Sequence, residues 1–106
     1  MITCIAIDDE PLALRQLSSY IEKVPYLNLL ESFSGAVKAL AFLQNNEVDL
    51  MFVDINMPDL TGMEFVKSLS KPPKVIFTTA YREYAVEGFQ VDAADYLVKP
   101  ISFAAF

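Results

Sequence analysis

Five short runs rich in β-branched and other apolar residues alternate with segments of helical length along this 106-residue chain. The runs predict strands at 2–7, 26–33, 48–53, 74–79 and 94–98. Strands that alternate with helices are joined by right-handed crossovers, which build a parallel sheet with helices on both faces. The alternation therefore predicts an α/β fold that is doubly wound around one five-stranded sheet.

The segments between the strands have the spacing of amphipathic helices. The first helix is predicted at 11–23, and its apolar face comprises Leu14, Leu17 and Ile21. Ser34 is a suitable N-cap for a second helix that runs to about Gln44. The apolar positions of that helix are Val37, Leu40 and Ala41. The remaining helices are predicted at 63–69, at 82–89 and, as a helix that the chain does not finish, at 101–106.

Composition excludes several classes of protein. With 54% hydrophobic residues, the chain is expected to fold as one compact domain, 1–106. A net charge of −6 argues against direct binding to nucleic acid, and the absence of histidine removes the usual general base and metal ligand. The single cysteine, Cys4, lies in an apolar run and is expected to be a buried, inert thiol. No apolar run approaches the length of a membrane span, so we expect a cytoplasmic protein without a membrane partner.

Polar residues stand at the carboxyl ends of four predicted strands. Asp8 and Asp9 follow the first strand, Asp54 follows the third, Thr79 ends the fourth, and Lys99 follows the fifth. These ends meet at one edge of a parallel sheet, where such folds bind ligands. Three carboxylates brought together repel one another unless a cation lies between them. Their oxygen ligands favour Mg²⁺ or Mn²⁺ over zinc.

Asp54 is a candidate nucleophile, because carboxylates accept phosphoryl groups as acyl phosphates. Transfer of a phosphoryl group needs positive charge and donors around its oxygens. Lys99 is expected to supply the charge and Thr79 a hydroxyl donor. The backbone carbonyl of Asn56 is placed to act as a further metal ligand.

Each of these residues also has an ordinary structural explanation. Asp8 and Asp9 suit the start of the first helix, where the helix dipole favours acidic groups. Asp54 is also able to begin an Asx-turn. Lys99 is an ordinary surface lysine in this reading, and Tyr96 a half-buried strand aromatic. The coincidence of compatible chemistry at four strand ends favours a site.

The motifs that carry these residues resemble the receiver domain of two-component response regulators. They are the segments Ile7-Asp8-Asp9-Glu10-Pro11, Val53-Asp54-Ile55-Asn56-Met57-Pro58 with Gly62, Thr79-Ala80 and Lys99-Pro100. Their order and spacing match along nearly the whole chain. The segments Phe77-Thr78-Thr79-Ala80-Tyr81, Glu83-Tyr84-Ala85 and Asp95-Tyr96-Leu97-Val98-Lys99-Pro100 are most similar to regulators with a LytTR-type DNA-binding domain.

The resemblance implies a flavodoxin-like (βα)5 fold with strand order 2-1-3-4-5. It implies that Asp54 is the phosphoacceptor. Asp9 would bind the metal ion directly and Asp8 largely through water, and the Asn56 carbonyl would complete the set of metal ligands that the protein supplies. Thr79 and Lys99 would hold the phosphoryl oxygens. Thr79 and Tyr96 would form the switch. Such a domain catalyses only its own phosphorylation and dephosphorylation and is not a multiple-turnover enzyme.

The same resemblance implies partners. A sensor histidine kinase would donate the phosphoryl group, and a homodimer would form through the fourth helix, fifth strand and fifth helix. DNA would be bound only through an output domain, which is expected to be absent from this chain, and the last helix is expected to be truncated.

Two alternatives remain open at this point. A receiver-like interaction module without phosphotransfer would have the fold but not the chemistry. A phosphatase of the haloacid-dehalogenase type also uses a strand-end aspartate with Mg²⁺. That family needs a second aspartate two residues after the nucleophile, where this chain has Asn56.

Overall fold

The computed structural model describes residues 1–55, 57, 61–79 and 95–98, and for Met63, Thr79 and 95–98 only the backbone. The described strands are β1 (Ile2–Ile7), β2 (Leu27–Phe33), β3 (Leu50–Asp54), β4 (Lys74–Thr79) and β5 (Asp95–Val98). The described helices are α1 (Pro11–Glu22), α2 (Ala36–Asn45) and α3 (Gly62–Lys67). Among these residues no helix has the length and apolar character needed to cross a membrane. The helices predicted at 82–89 and 101–106, including the truncation of the latter, lie outside the described residues.

All five strands form one parallel sheet in the order β2-β1-β3-β4-β5, which confirms the predicted doubly wound fold. The chain places β2 on one side of β1 and β3 on the other. The strand order therefore reverses between β1 and β3, and the carboxyl ends of these two strands flank the crevice where such sheets bind ligands.

The core consists of two apolar clusters, one on each face of the sheet. Successive strand residues face opposite sides, so Cys4 and Ala6 join one cluster while Ile5 and Ile7 join the other. α1 covers the first cluster through Leu17 and Ile21. α2 and α3 cover the second through Ala36, Ala39, Phe65 and Val66. The sheet is thus buried on both faces, as a parallel sheet requires.

Two details of α2 differ from the sequence prediction. Gly35, not Ser34, is the N-cap, with extended backbone and no side-chain cap hydrogen bond. Val37 is 68% exposed, and the buried face of the helix is formed by Ala36 and Ala39. Of the predicted apolar positions, Leu40 packs partly buried against the core, whereas Val37 faces solvent.

β3 begins two residues later than predicted, and Asp49, just before it, is linked to β1 at the amino end of the sheet. Its carboxylate accepts hydrogen bonds from the Thr3 amide at 3.0 Å and the Thr3 hydroxyl at 3.1 Å. In return, the Asp49 amide donates to the Thr3 carbonyl at 3.0 Å and to the Thr3 hydroxyl at 3.1 Å. This link joins β1 to the start of β3 at the edge of the sheet opposite Asp8, Asp9 and Asp54.

Candidate functional site

Asp8 is held at the carboxyl end of β1 by its own backbone and by the turn that follows. Its amide donates to the Phe33 carbonyl at 3.0 Å, which extends the pairing with β2 by one residue. Its Oδ1 accepts a 2.9 Å hydrogen bond from the Glu10 amide. Only 1% of the residue is exposed. The turn therefore fixes a buried carboxylate just before α1 begins.

Neither Asp8 nor Asp9 is the N-cap of α1, so the capping alternative for this pair is wrong. The N-cap is Glu10, whose extended backbone precedes Pro11 at the first position of the helix and whose side chain makes no cap hydrogen bond. The two aspartates stand before the cap, at the carboxyl edge of the sheet.

Asp54 is the last residue of β3 and is 4% exposed. It pairs in register with Thr78 of β4, and the next amide, of Ile55, donates to the Thr78 carbonyl at 3.0 Å. β1 pairs Ile7 with Val53 on the other side, so Asp8 stands level with Asp54. Pairing on both sides holds the Asp54 backbone rigidly at the crevice.

The structure brings Asp8, Asp9 and Asp54 together. One carboxylate oxygen from each lies within 4.8 Å of the others, with Asp8 and Asp54 buried and Asp9 exposed. Three negative charges at this separation repel one another strongly in a partly buried setting. An all-oxygen set with one open side fits a hard divalent cation such as Mg²⁺, which retains waters and accepts a phosphate oxygen as a further ligand.

The loop after β3 returns closely to the strand end. The Gly62 amide donates to the Ile55 carbonyl at 2.7 Å. A capping box between Thr61 and Glu64 then starts α3, with the Thr61 hydroxyl accepting from the Glu64 amide at 3.1 Å. The Glu64 carboxylate in turn accepts from the Thr61 amide at 3.3 Å. These contacts anchor the loop that leaves Asp54.

For several predicted site residues, the structure describes only the backbone or does not describe the residue. Asn56 and Lys99 are outside the described residues. Thr79 ends β4 and Tyr96 lies in β5, as predicted, but only their backbones are described. Their proposed contacts with a phosphoryl group therefore remain predictions from the sequence.

Thr78 was not predicted from the sequence to be a site residue, yet its side chain is buried beside the site. It is 1% exposed, and its hydroxyl has no hydrogen-bond partner in the described part of the chain. Counting in steps of two from the apolar residue Ile76 places Thr78 on the same face of the sheet. That periodicity was the available signal, although it carries no information about the missing partner.

Cys4 is separate from this site. It is fully buried, and its Sγ donates to the Asn28 carbonyl at 3.6 Å. Burial raises the pKa of the thiol to about 11. The expected inert thiol is what the structure describes.

Comparison with known proteins identifies the family. The sequence model of the response regulator receiver domain matches residues 4–106. Protein MrkE of Klebsiella pneumoniae is 39% identical over 99 residues, covering 91% of this chain and 37% of that protein. The transcriptional regulatory protein YpdB of Escherichia coli K12 is 38% identical over 99 residues, covering 91% of this chain and 41% of that protein. The chain thus spans about two-fifths of the length of these relatives.

Solved structures agree with the sequence relatives. The response regulatory domain of MrkE from Klebsiella pneumoniae superposes with a TM-score of 0.86 at 36% identity, over 97% of this chain and 87% of that one. The receiver domain of a putative NarL regulator from Mycobacterium tuberculosis gives a TM-score of 0.85 at 19% identity, over 98% and 88% of the two chains. The second match supports the fold alone.

These matches decide against the haloacid-dehalogenase alternative, because receiver domains are signalling domains and not multiple-turnover enzymes. Asp54 also ends the third strand of the sheet, where that phosphatase class uses the first. The chain belongs to the family of response regulator receiver domains.

Proposed function

We propose that this chain is the phosphoacceptor domain of a two-component response regulator and that Asp54 receives a phosphoryl group from a histidine kinase. The observation that carries the proposal is the meeting of Asp8, Asp9 and Asp54, whose carboxylate oxygens lie within 4.8 Å of one another at the carboxyl edge of the sheet. Family membership supports the kinase as the class of donor, since receiver domains interact with histidine kinases.

In the proposed transfer, a carboxylate oxygen of Asp54 attacks the phosphorus of a phosphohistidine on the kinase. The new P–O bond forms as the P–N bond breaks, and the imidazole nitrogen keeps the electron pair and later takes a proton from water. A bound Mg²⁺ would neutralise charge on the phosphoryl oxygens. Asp9 would hold the cation directly, Asp8 would act largely through water, and the Asn56 carbonyl would complete the set.

Thr79 and Lys99 would hold the phosphoryl oxygens of the product. The new charge and acceptors favour a conformation in which Thr79 moves inward and Tyr96 follows it. This change would alter the face built by the fourth helix, β5 and the fifth helix, and that face would mediate a homodimer. The switch works by population shift, since the phosphoryl group binds one arrangement better than the other.

The proposed output is control of transcription through a DNA-binding domain of the LytTR type. The segments around Thr79 and Lys99 resemble that subfamily, and one relative is named a transcriptional regulatory protein. An acidic receiver with a net charge of −6 would bind DNA only through such a separate domain.

The proposal is tested by incubating the protein with Mg²⁺ and acetyl phosphate and measuring its mass. We expect the wild type to gain one phosphoryl group and Asp54→Asn to gain none. Asp49→Asn is the matched control, because Asp49 lies at the opposite edge of the sheet and should leave phosphorylation intact. A wild type that gains no mass would instead favour the interaction module without phosphotransfer.

A further inference from the structure

Thr78, beside the proposed phosphorylation site, has a buried hydroxyl that finds no hydrogen-bond partner among the described residues. The residue is 1% exposed, and its Oγ1 makes no hydrogen bond within the described ranges. A buried hydroxyl without a hydrogen-bond partner destabilises the conformation in which it is found. A valine of the same shape would avoid that penalty.

Register places Thr78 beside the proposed phosphoacceptor. Thr78 and Asp54 are direct partners on adjacent parallel strands. Both continue the face of the sheet that carries Phe52 and Ile76, two residues earlier in each strand. Asp54 of β3 and Thr78 of β4 therefore stand level with one another, and Asp8, the residue after β1, stands level with Asp54.

We propose that Thr78 is a positioning residue of the switch, whose hydroxyl donates a hydrogen bond to the side chain of Asp54 once that side chain carries a phosphoryl group. This role rests on the proposed function. Phosphorylation of Asp54 adds oxygens that accept hydrogen bonds beside Thr78, whose hydroxyl has no acceptor among the described residues. The hydroxyl is unpartnered before transfer and partnered after it, so it favours the phosphorylated form over the unphosphorylated one.

The alternative is that Thr78 is only a β-branched strand residue whose hydroxyl is tolerated in the core. The two explanations make different predictions for the isosteric substitution Thr78→Val. Both expect a more stable unphosphorylated domain, because the unpartnered hydroxyl is gone. Only the positioning role expects the substitution to weaken the response to a phosphoryl group.

The experiment uses beryllium trifluoride, a tetrahedral mimic of the phosphoryl group, with saturating Mg²⁺. Its affinity is measured by isothermal titration calorimetry, and Tm is measured with and without it. We expect Thr78→Val to raise the Tm of the free protein and to weaken beryllium trifluoride binding by about five- to tenfold, the effect of one hydrogen bond. Thr78→Ser, which keeps the hydroxyl, should bind within about twofold of the wild type.

Thr3→Val is the matched control. It removes the same group from a threonine at the opposite edge of the sheet, where the hydroxyl is already bonded to Asp49. We expect it to lower Tm equally with and without the mimic and to leave the affinity unchanged.

Two results would overturn the proposal, and they are distinguishable. Unchanged affinity in Thr78→Val, with normal binding to the wild type, would overturn the role of Thr78 alone. Failure of the wild type to bind, or equal binding to Asp54→Asn, would overturn the proposed function and the role of Thr78 with it.

Discussion

Gly62 approaches the strand end of Asp54 so closely that its position has no room for a side chain. A Cβ on Gly62 would lie 2.5 Å from the Asp54 carbonyl oxygen and 2.9 Å from the Ile55 Cα. Both neighbours are backbone atoms: Asp54 is the last residue of β3 and pairs with Thr78, and the Ile55 amide donates to the Thr78 carbonyl, so they have little freedom to move aside. The close contact couples the loop after β3 to the backbone that carries Asp54, the proposed phosphoacceptor.

Substitution of Gly62 by alanine should therefore destabilise the domain and impair phosphorylation together. We expect a loss of about 2 kcal/mol in the free energy of unfolding, measured by urea denaturation, because the added methyl group forces the backbone apart. Phosphorylation by acetyl phosphate should slow in the same variant. Gly35→Ser is the control, since Gly35 has a φ of −166°, which any residue adopts, and serine is favoured at the N-cap position that Gly35 occupies. An equal loss in both variants would show that the close approach is unimportant.

The link between Asp49 and Thr3 makes a testable contribution to acid stability. Hydrogen bonds from the Thr3 amide and then the Thr3 hydroxyl hold the pKa of Asp49 below its usual value of 3.8. A carboxylate with a lowered pKa in the folded state stabilises it above the unfolded pKa and loses that effect as pH falls towards the folded value. Asp49→Asn should remain folded at neutral pH but show a smaller fall in stability below about pH 4. The free energy of unfolding of both proteins is measured by urea denaturation between about pH 7 and about pH 3, a range that includes the titration of aspartate carboxylates. Parallel curves would contradict it.

Cys4 should be unreactive in the folded protein. Its thiol is fully buried, and its pKa is raised to about 11, so almost no thiolate is present near neutral pH. A disulfide reagent should label it only after denaturation in urea, and the labelling rate should follow unfolding. Rapid labelling of the native protein would refute the description of this residue.

The capping box at the start of α3 should contribute independently of Gly62. Thr61→Ala removes the hydroxyl that accepts from the Glu64 amide, and we expect a loss of about 1 kcal/mol in the free energy of unfolding. Thr61→Ser keeps the acceptor and should retain most of that stability. If the two variants unfold alike, the cap is not what fixes the helix.

Divalent cations should stabilise the domain through the three carboxylates. At about ten times its dissociation constant, Mg²⁺ should add about 1.4 kcal/mol and raise Tm, and a chelator should reverse the change. Asp9→Asn should reduce the shift, because it removes the exposed carboxylate of the set. A shift of the same size in that variant would argue that Mg²⁺ binds elsewhere.

The strands were predicted well from sequence because alternation along a half-apolar run is a local signal. The bounds of β1 and β4 agree with the predicted ranges 2–7 and 74–79. The start of α2 was wrong because Ser34 and Gly35 both suit a cap, and only packing on the sheet selects between them. The predicted range of β3, 48–53, began two residues early and ended one residue early, because an apolar run alone does not locate the ends of a strand.

The sequence identified some residues of the candidate site but not others. Asp8 and Asp54 were found because a charge at the end of an apolar strand is unusual and strand order brings such ends together. The environment of Thr78 was not, because burial and a missing partner are properties of the packed fold. Threonine is common in strands, so its presence alone carries no signal.

The order of the strands also governs when the acidic set can exist during synthesis. β1 is made first, but it lies between β2 and β3, so Asp8 gains its neighbour Asp54 only after the third strand has been made. Until then, the side of β1 that will pair with β3 has no partner strand. The amino-terminal segment then carries only Asp8 and Asp9 of the three proposed cation ligands. The proposed capacity to bind a cation and to accept a phosphoryl group would therefore depend on pairing between distant strands and not on any continuous segment of the growing chain.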